Sequence, residues 1–293
     1  MFKGLQPILY GGREVWPLIE GGKGVSATNH ASSGAWAAAG GIGTVSAVNA
    51  DSYDPEGRIV PQIYAGLSRR ERHEELIKYA IDGAVAQVQR AYEIASGKGA
   101  ININVLWEMG GAQRVLHGVL ERTKGLVTGV TCGAGMPYKL SEIAASYGVN
   151  YLPIISSARA FSALWKRAYH KAAEWLAAVV YEDPWLAGGH NGLSNAEDPR
   201  APQDPYPRVA ALRATMREQG IADSVPIVMA GGMGLSWVRS GRVPNWKTIC
   251  PSSGLSIQFS HSSSRQTPPA MTIGTLSAIP CSRIVARSAA TRG

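Results

Sequence analysis

The sequence predicts an α/β protein whose most specific architecture is a (β/α)8 TIM barrel, incomplete or irregular at its eighth unit. Three observations lead to this fold class. Short β-branched runs alternate with helical patterns from about residue 16 to residue 232. Several strand candidates, such as 225–230, are continuously apolar, as a strand covered on both faces requires. The 293 residues also suffice for the roughly 250 of such a barrel, and an open doubly wound sheet is the alternative.

The strand and helix candidates alternate in the order that a barrel needs. Strands are predicted at 16–20, 42–48, 100–106, 126–132, 151–155, 176–180 and 226–230, and the one short candidate for an eighth is 255–260. Helices are predicted at 29–39, 68–96, 110–123, 138–147, 158–173 and 205–219.

The longest predicted helix carries clear start and stop signals. Ser68 and Glu71 have the spacing of a capping box, in which each side chain serves an exposed backbone amide. Gly97 follows the last turn as a stop signal. An apolar stripe at helical spacing connects the two ends: Leu76, Tyr79, Ala80, Ala84, Val88, Ala91 and Ala95.

Two long turn-rich loops, 49–66 and 194–207, interrupt the alternation. Each comes after a predicted strand. Because barrels place substrate contacts on the loops that follow strands, these two loops are expected to influence substrate choice.

The net charge of +8 is concentrated at the end of the chain. All 21 acidic residues lie at or before Asp223, where 22 basic residues balance them, and seven further basic residues follow without any acid. We therefore predict a (β/α) barrel body over 1–232 and an atypical basic, Ser-rich segment over 233–293, whose composition is compatible with disorder. A frameshift near residue 233 and a divergent tail are two open explanations for that segment. Because the body is electrically balanced, no nucleic-acid partner is predicted.

Cysteine usage and hydropathy exclude several other classes. Cys132, Cys250 and Cys281 are widely spaced, without a Cys-x-x-Cys pair or Cys/His cluster, so neither a metal site nor a disulfide framework is expected. No apolar run reaches the roughly 18 residues of a membrane span. The N-terminal residues lack the apolar core of a signal peptide, and we expect a cytoplasmic protein.

Glycine clusters lie beside several predicted strands. Residues 21–24 follow the first strand, 39–43 lead into the second and 229–232 end the seventh. Glycines at a strand exit let the backbone approach a flat or anionic ligand, although tight turns also explain each cluster by itself. Barrels that bind phosphate do so after strands seven and eight, which favours a ligand role for 229–232. Neither a P-loop nor a dinucleotide-binding fingerprint is matched.

Two side chains near strand ends are candidates for chemistry. Cys132, at the end of the fourth strand, is interpreted as a small buried residue rather than a nucleophile, because the sequence places no base beside it. His190 lies in the run Ala-Gly-Gly-His-Asn-Gly at 187–192, after the sixth strand. The glycines on both sides would leave its ring projecting over the barrel mouth, where strand-end residues act. We therefore predict a catalytic or ligand-binding role for His190.

Five motifs together resemble the nitronate monooxygenase (2-nitropropane dioxygenase-like) family of FMN-dependent barrels, which is related to the flavin-type enoyl-acyl-carrier-protein reductases. They are Pro-Leu-Ile-Glu-Gly-Gly-Lys-Gly at 17–24, Ala-Gly-Gly-Ile-Gly-Thr at 39–44, Thr-Cys-Gly-Ala-Gly at 131–135, Ala-Gly-Gly-His-Asn-Gly at 187–192 and Met-Ala-Gly-Gly at 229–232. Residues 257–265 match the family's Gly-Thr-Arg element at the eighth strand only loosely.

The resemblance implies an FMN cofactor lying across the barrel mouth. It implies that Gly22 and Lys23 approach the isoalloxazine ring and that Asn102 or Asn104 hydrogen-bonds its polar edges. His190 corresponds to the family's active-site histidine. The remaining cofactor-binding residues implied are glycines, of which the last two would donate amides to the phosphate: Gly188, Gly189, Gly231 and Gly232.

The implied reaction is the oxidation of a nitronate by O2 to a carbonyl compound, or of a nitroalkane that first loses its α-proton to His190. An imidazole with an ordinary pKa of about 6.5 can act as that base at neutral pH. The expected partners are therefore a small-molecule substrate and O2. Two alternatives stay open: an NAD(P)H-dependent flavin enoyl or quinone reductase that shares the same motifs, and a non-catalytic, truncated barrel that cannot hold FMN.

Overall fold

Eight parallel strands close into a barrel in the computed structural model of the chain, which describes residues 6–185, 187, 193, 197–230 and 256–259. Strands β1 (Ile8–Tyr10) and β2 (Arg13–Val15) form a separate hairpin that precedes the barrel. The barrel strands are β3 (Leu18–Glu20), β4 (Ile42–Ser46), β5 (Ala100–Leu106), β6 (Gly129–Gly133), β7 (Asn150–Ile155), β8 (Val179–Glu182), β9 (Ile227–Ala230) and β10 (Ser256–Phe259). The predicted TIM-barrel fold is confirmed.

The barrel is closed by strand β10. Strand β10 pairs with β3 through Ile257 and Leu18, and with β9 through Ser256 and Val228. Without it, β3 and β9 would both present unpaired backbone edges. The candidate strand at 255–260 is therefore the eighth strand. Among the described residues, β10 is the part of the eighth unit that is present. The compact unit that contains the barrel includes β10 and ends at Phe259.

Helices connect successive strands and cover the outside of the barrel. They are α1 (His30–Ala38), α2 (Arg69–Ala95), α3 (Ala112–Arg122), α4 (Leu140–Ser146), α5 (Ala158–Arg167), a 3-10 helix (Tyr169–Trp175) and α6 (Tyr206–Glu218). The single helix predicted at 158–173 is thus divided in two, because Ala168 leaves the helical region with φ −143° and ψ −51°. The other predicted helices agree with the structure to within a few residues.

Helix α2 begins with the predicted capping box. The Ser68 hydroxyl accepts a hydrogen bond from the Glu71 amide at 3.2 Å, and the Glu71 carboxylate accepts from the Ser68 amide at 2.8 Å. These contacts serve amides that have no partner inside the helix. The helix ends where Ser96 and Gly97 both adopt positive φ angles, of 50° and 76°.

Side chains alternate along the strands between two apolar cores. The outer core lies between strands and helices and includes Ile101, Ile103 and Val130. The inner core fills the barrel and is made of Tyr10, Val15, Ile19, Ile42, Ala100, Leu152, Ala178, Val180, Val228 and Ala230. The two-residue period of a strand therefore determines which side chains face the barrel axis.

The N-terminal hairpin closes the amino-terminal end of the barrel. Its turn residues Gly11 and Gly12 have φ angles of 55° and 77°, which only glycine adopts readily. Tyr10, 4% exposed, belongs to the inner core, and its hydroxyl donates to Asn102 Oδ1 at 2.8 Å. The sequence interpretation missed this hairpin.

The loop between β4 and α2, predicted as turn-rich, is an ordered structure. Tyr53 and Ile59 form an antiparallel bridge around a tight turn, in which the Gly57 amide donates to the Asp54 carbonyl at 3.0 Å. Arg58 reinforces the turn through ion pairs with Asp54 and Glu56 at 2.7 and 3.0 Å.

No helix within the described residues is long and apolar enough to cross a membrane.

Candidate active site

The candidate site lies at the carboxyl-terminal ends of the barrel strands, which we call the mouth. The motifs at 21–24 and 131–135 both lie there, because one follows β3 and the other ends β6. Parallel strands all point the same way, so their exits meet at a single end of the barrel. The hairpin blocks the opposite end. The mouth is therefore where separate segments of the sequence can contact one ligand.

An inward-facing polar pair lies just below the mouth. The register of β5 and β6 places Asn104 directly beside Thr131. The Asn104 Nδ2 donates to Thr131 Oγ1 at 3.1 Å, and Thr131 Oγ1 donates to the Ile103 carbonyl at 3.3 Å. Thr131 is buried, while Asn104 stays partly exposed. The pair fixes the amide plane of Asn104 and leaves it accessible to a ligand in the mouth.

Gly22 packs directly against this pair. A Cβ built on Gly22 would lie 2.2 Å from the Asn104 Cβ and 3.0 Å from the Thr44 Cγ2. No other residue type fits there without displacing Asn104. Two of the residues that the family resemblance implies, Gly22 and Asn104, are therefore brought together.

Lys23 lies beside Gly22 on a loop with a fixed backbone. Its amide donates to Thr28 Oγ1 at 3.1 Å, and its carbonyl accepts from the amides of Ala27 and Thr28 at 3.1 and 3.2 Å. The side chain is half-buried. Burial lowers the pKa of the Lys23 ammonium, and the nearby Glu20 carboxylate opposes that shift.

Glu20 is a buried carboxylate that the sequence interpretation did not select. It ends β3 with 2% exposure, and its Oε2 accepts from the Thr44 amide at 2.9 Å. This contact ties β3 to β4 just below Gly22. An acidic residue at the end of an apolar strand, within the motif at 17–24, was the available signal.

Asn102 lies deeper in the barrel than Asn104. It is fully buried, and its Oδ1 accepts from the Tyr10 hydroxyl that enters from the amino-terminal end. The sequence interpretation left Asn102 and Asn104 as alternatives for a cofactor contact. The structure places Asn104 at the mouth and gives Asn102 a partner in the hairpin.

A second buried carboxylate lies at the exit of β8. Asp183 is fully buried, its Oδ1 accepts from the Trp185 amide at 2.9 Å, and its own amide donates to the Ala230 carbonyl of β9 at 2.9 Å. The sequence interpretation missed Asp183, although it is the first residue after the strand. It fixes the start of the segment that leads towards the Gly-Gly-His motif.

Trp185, two residues after Asp183, connects the segment that follows β8 to helix α6. Its indole Nε1 donates to the Asp198 carbonyl at 2.9 Å, and the Arg208 guanidinium lies over its ring at 4.8 Å. Arg208 also forms an ion pair with Glu197. His190, Gly188, Gly189, Gly231 and Gly232 lie outside the described residues, so their predicted roles stay predictions.

Cys132 faces away from the mouth. It is fully buried in the outer core between strands and helices. Burial raises the pKa of its thiol well above the ordinary value, so the thiolate is disfavoured. This position agrees with the interpretation of Cys132 as a small buried residue rather than a nucleophile.

The described part of the mouth fits the polar edge of a flavin. Asn104 offers an accessible amide, and the buried Thr44 Oγ1 has no hydrogen-bond partner among the described residues. Lys23 adds a cation whose charged form is partly desolvated. The carbonyl oxygens and ring nitrogens of a flavin accept hydrogen bonds, and amide, hydroxyl and ammonium groups donate them. Within the described ranges, no group of three His, Cys, Asp or Glu side chains could hold a metal ion.

The fold and the mouth together define a TIM-barrel protein whose candidate ligand site is formed by strand-end residues. No family model and no curated protein matches the chain. Solved structures do match. The chain is similar to FabK from Thermotoga maritima, with a TM-score of 0.51 and 16% identity over 86% of this chain and 58% of that protein.

A second similar structure is the nitroalkane oxidase from Streptomyces ansochromogenes. The TM-score is 0.52 at 15% identity, covering 83% of this chain and 64% of that one. The chain therefore spans about three fifths of the length of both proteins. At these identities the similarity shows a shared fold, and at that level the resemblance stated from the sequence is confirmed.

Proposed function

We propose that the protein is an FMN-dependent oxidoreductase that oxidises nitronates or nitroalkanes with O2 to carbonyl compounds. The observation that carries this proposal is the contact between Gly22 and Asn104 at the barrel mouth. Two motif residues distant in sequence meet there beside the half-buried Lys23. A similar fold in a protein whose name is nitroalkane oxidase supports the same substrate class.

In this proposal the described residues bind one edge of the cofactor. The backbone at Gly22 gives the isoalloxazine ring close access to the mouth. The Asn104 amide hydrogen-bonds a polar edge of that ring, with Thr131 holding the amide in place. Lys23 balances negative charge that develops on the ring. Gly188, Gly189, Gly231 and Gly232 complete the set, the last two by donating amides to the phosphate.

His190 is the proposed base. An imidazole with the ordinary pKa of about 6.5 is largely neutral at neutral pH, so His190 would take the α-proton of a nitroalkane, and the resulting imidazolium would stabilise the nitronate. FMN, when bound, would supply the redox chemistry between the substrate and O2. Overall, two nitronates and one O2 would give two carbonyl products and two nitrite ions, with O2 supplying the oxygen atom that replaces nitrogen on each substrate carbon.

The test is turnover of the full chain loaded with FMN. We expect O2 uptake and nitrite release with a nitroalkane or its nitronate, without any nicotinamide. His190→Ala should retain bound FMN and lose most of that turnover. His117→Ala is the matched control, because His117 is an exposed residue of α3 that hydrogen-bonds Tyr147 at 3.1 Å, away from the mouth. Full turnover in His190→Ala would contradict the assigned role.

The same preparation separates the two alternatives. Rapid NADH or NADPH oxidation, with no nitrite from nitronates, would identify a flavin reductase of the enoyl or quinone type. Failure to bind FMN at all would identify a barrel without flavin chemistry. Each outcome would replace the proposed function, so the assay leads to one of three distinct answers.

A further inference from the structure

Two polar side chains inside the barrel carry hydrogen-bonding atoms without a protein partner. Thr44 and Asn102 are both fully buried, at 0% exposure. Neither Thr44 Oγ1 nor Asn102 Nδ2 has a hydrogen-bond partner among the described residues. An unpaired polar group in an apolar interior is unfavourable, so native proteins pair nearly all such groups, either with protein or with ordered water. The two atoms therefore indicate a ligand that lies inside the barrel.

Thr44 and Asn102 are direct neighbours on the inner face of the barrel. They are register partners on β4 and β5, and Ile42, two residues before Thr44, belongs to the inner core. Paired strands lie about 4.8 Å apart, and side chains at paired positions leave the sheet on the same face. The two unpartnered atoms thus belong to one small region rather than to two separate places.

The amide of Asn102 is oriented by its contact with the hairpin. Its Oδ1 accepts from the Tyr10 hydroxyl at 2.8 Å. A Cβ built on Gly129 of β6 would lie 2.0 Å from that hydroxyl and 2.9 Å from Asn102 Oδ1, so both oxygens occupy the space beside Gly129. The oxygen and the nitrogen of a planar amide point in different directions. With the oxygen on the β6 side, the nitrogen lies on the other side, where β4 and Thr44 are.

The side chain of Thr44 is oriented by Gly22, which follows β3 at the mouth. Thr44 Cγ2 lies 3.0 Å from the position of a Cβ built on Gly22, so the methyl group is the branch that packs beneath the mouth. The hydroxyl is the other branch on the same carbon, in a different staggered position. It is therefore directed away from Gly22 and into the barrel, as the Asn102 nitrogen is directed towards β4.

The chemistry of this region fits one water molecule. Asn102 Nδ2 only donates hydrogen bonds, whereas the Thr44 hydroxyl both donates and accepts them. A water accepts from the first and donates to the second, and two hydrogen bonds of about 3 Å bridge two groups that do not bond to each other. The Glu20 carboxylate, which accepts from the Thr44 amide, disfavours an anion there, and the donor nitrogen of Asn102 disfavours a cation.

We propose that Thr44 and Asn102 form an internal binding site for one ordered water molecule, below the barrel mouth. Through this water, Tyr10, Asn102 and Thr44 form one hydrogen-bonded chain, which connects the N-terminal hairpin to the strand beneath Gly22. Buried waters typically bind groups that otherwise lack partners, as these two do. The proposal does not depend on the proposed FMN chemistry, because both side chains are buried without any cofactor.

The test in solution is nuclear magnetic resonance of the full chain labelled with nitrogen-15. A nuclear Overhauser effect between water and the Asn102 side-chain amide should be present, with the sign of a water that stays bound for longer than the protein tumbles. Thr44→Val, which replaces the hydroxyl by a methyl group of similar shape, should remove it, and Thr44→Ser should retain it. Thr123→Val is the matched control and should retain it too, because the buried Thr123 hydroxyl already donates to the Val119 carbonyl at 2.7 Å.

A crystal structure of the full chain tests the same site directly. It should show one ordered water within hydrogen-bonding distance of Thr44 Oγ1 and Asn102 Nδ2, and Thr44→Val should lack this water. A direct hydrogen bond between Thr44 and Asn102, or another side chain in that place, would overturn the proposal. So would a wild-type Asn102 amide without water contact, a contact that survives Thr44→Val, or one that is lost when FMN is added, since the ring would then bind the hydroxyl. The wild-type and Thr44→Ser results decide even if Thr44→Val does not fold.

Discussion

The contact of Gly22 with Asn104 predicts that Gly22→Ala damages both the fold and the mouth. The added Cβ would lie 2.2 Å from the Asn104 Cβ, whereas two carbons in contact are separated by about 3.5–4.0 Å. Either the backbone at Gly22 or strand β5 must therefore move by more than about 1 Å. Asn104 cannot rotate its Cβ away, because β5 is paired on both sides. Overpacking of this kind costs about 1–3 kcal/mol.

The assay for this prediction is urea unfolding combined with a double-mutant cycle. Gly22→Ala should lower the free energy of unfolding by about 1–3 kcal/mol. In an Asn104→Gly background, where the opposing Cβ is gone, the same change should cost less than about 0.5 kcal/mol. Gly110→Ala is the control, because a Cβ built there would meet only the far end of the His73 side chain, at 3.1 Å. An equal cost of Gly22→Ala in both backgrounds would refute the packing argument.

Three further predictions concern residues away from that contact. Cys132 should resist alkylation in the native protein and react fully in denaturant, as peptide mass spectrometry would reveal; labelling of the native thiol would contradict its burial. Tyr10→Phe should cost about 1–3 kcal/mol in urea unfolding, because it deprives the buried Asn102 of its donor; an unchanged free energy would count against the hairpin as a closing element. Hydrogen bonds from the amides of Ser68 and Leu67 hold the pKa of Glu71 below its ordinary value. The ionised Glu71 carboxylate therefore stabilises the folded protein above the ordinary glutamate pKa, and this stabilisation is lost as pH falls through the lowered pKa. Glu71→Gln should therefore destabilise the protein at neutral pH, with a difference from wild type that shrinks in acid; a difference independent of pH would contradict this.

The fold was largely predictable because apolar periodicity reflects burial directly. A strand such as β9 is buried on both faces, so its sequence is continuously apolar and stands out from the helices. The N-terminal hairpin was missed because its strands are only three residues long and show no periodicity. The pair Gly11 and Gly12 was the available signal, since two consecutive positive φ angles are typical of tight hairpin turns.

The site was less predictable because it depends on strand register and barrel depth. Asn102 and Asn104 are two residues apart, so both face the barrel axis. Strand direction places Asn104 nearer the mouth, but the sequence alone does not say how deep in the barrel each of them lies. The answer comes from Tyr10, which reaches Asn102 from the opposite end. Glu20 was missed because its role is to bind a backbone amide of the neighbouring strand, a contact that exists only once β3 and β4 are aligned.

The most direct test of the central claim is an FMN titration of the purified full chain, followed through the visible absorbance of the flavin. The account predicts saturable binding, with the shifted absorbance bands of a bound flavin. Asn104→Ala should weaken this binding at least about tenfold, the equivalent of one lost hydrogen bond to a charged or polar partner. The control Leu9→Glu, at an exposed residue of the N-terminal hairpin, should bind as the wild type does. Absence of flavin binding by a chain that is folded, with its barrel intact, would contradict the claim that this barrel mouth is a flavin site.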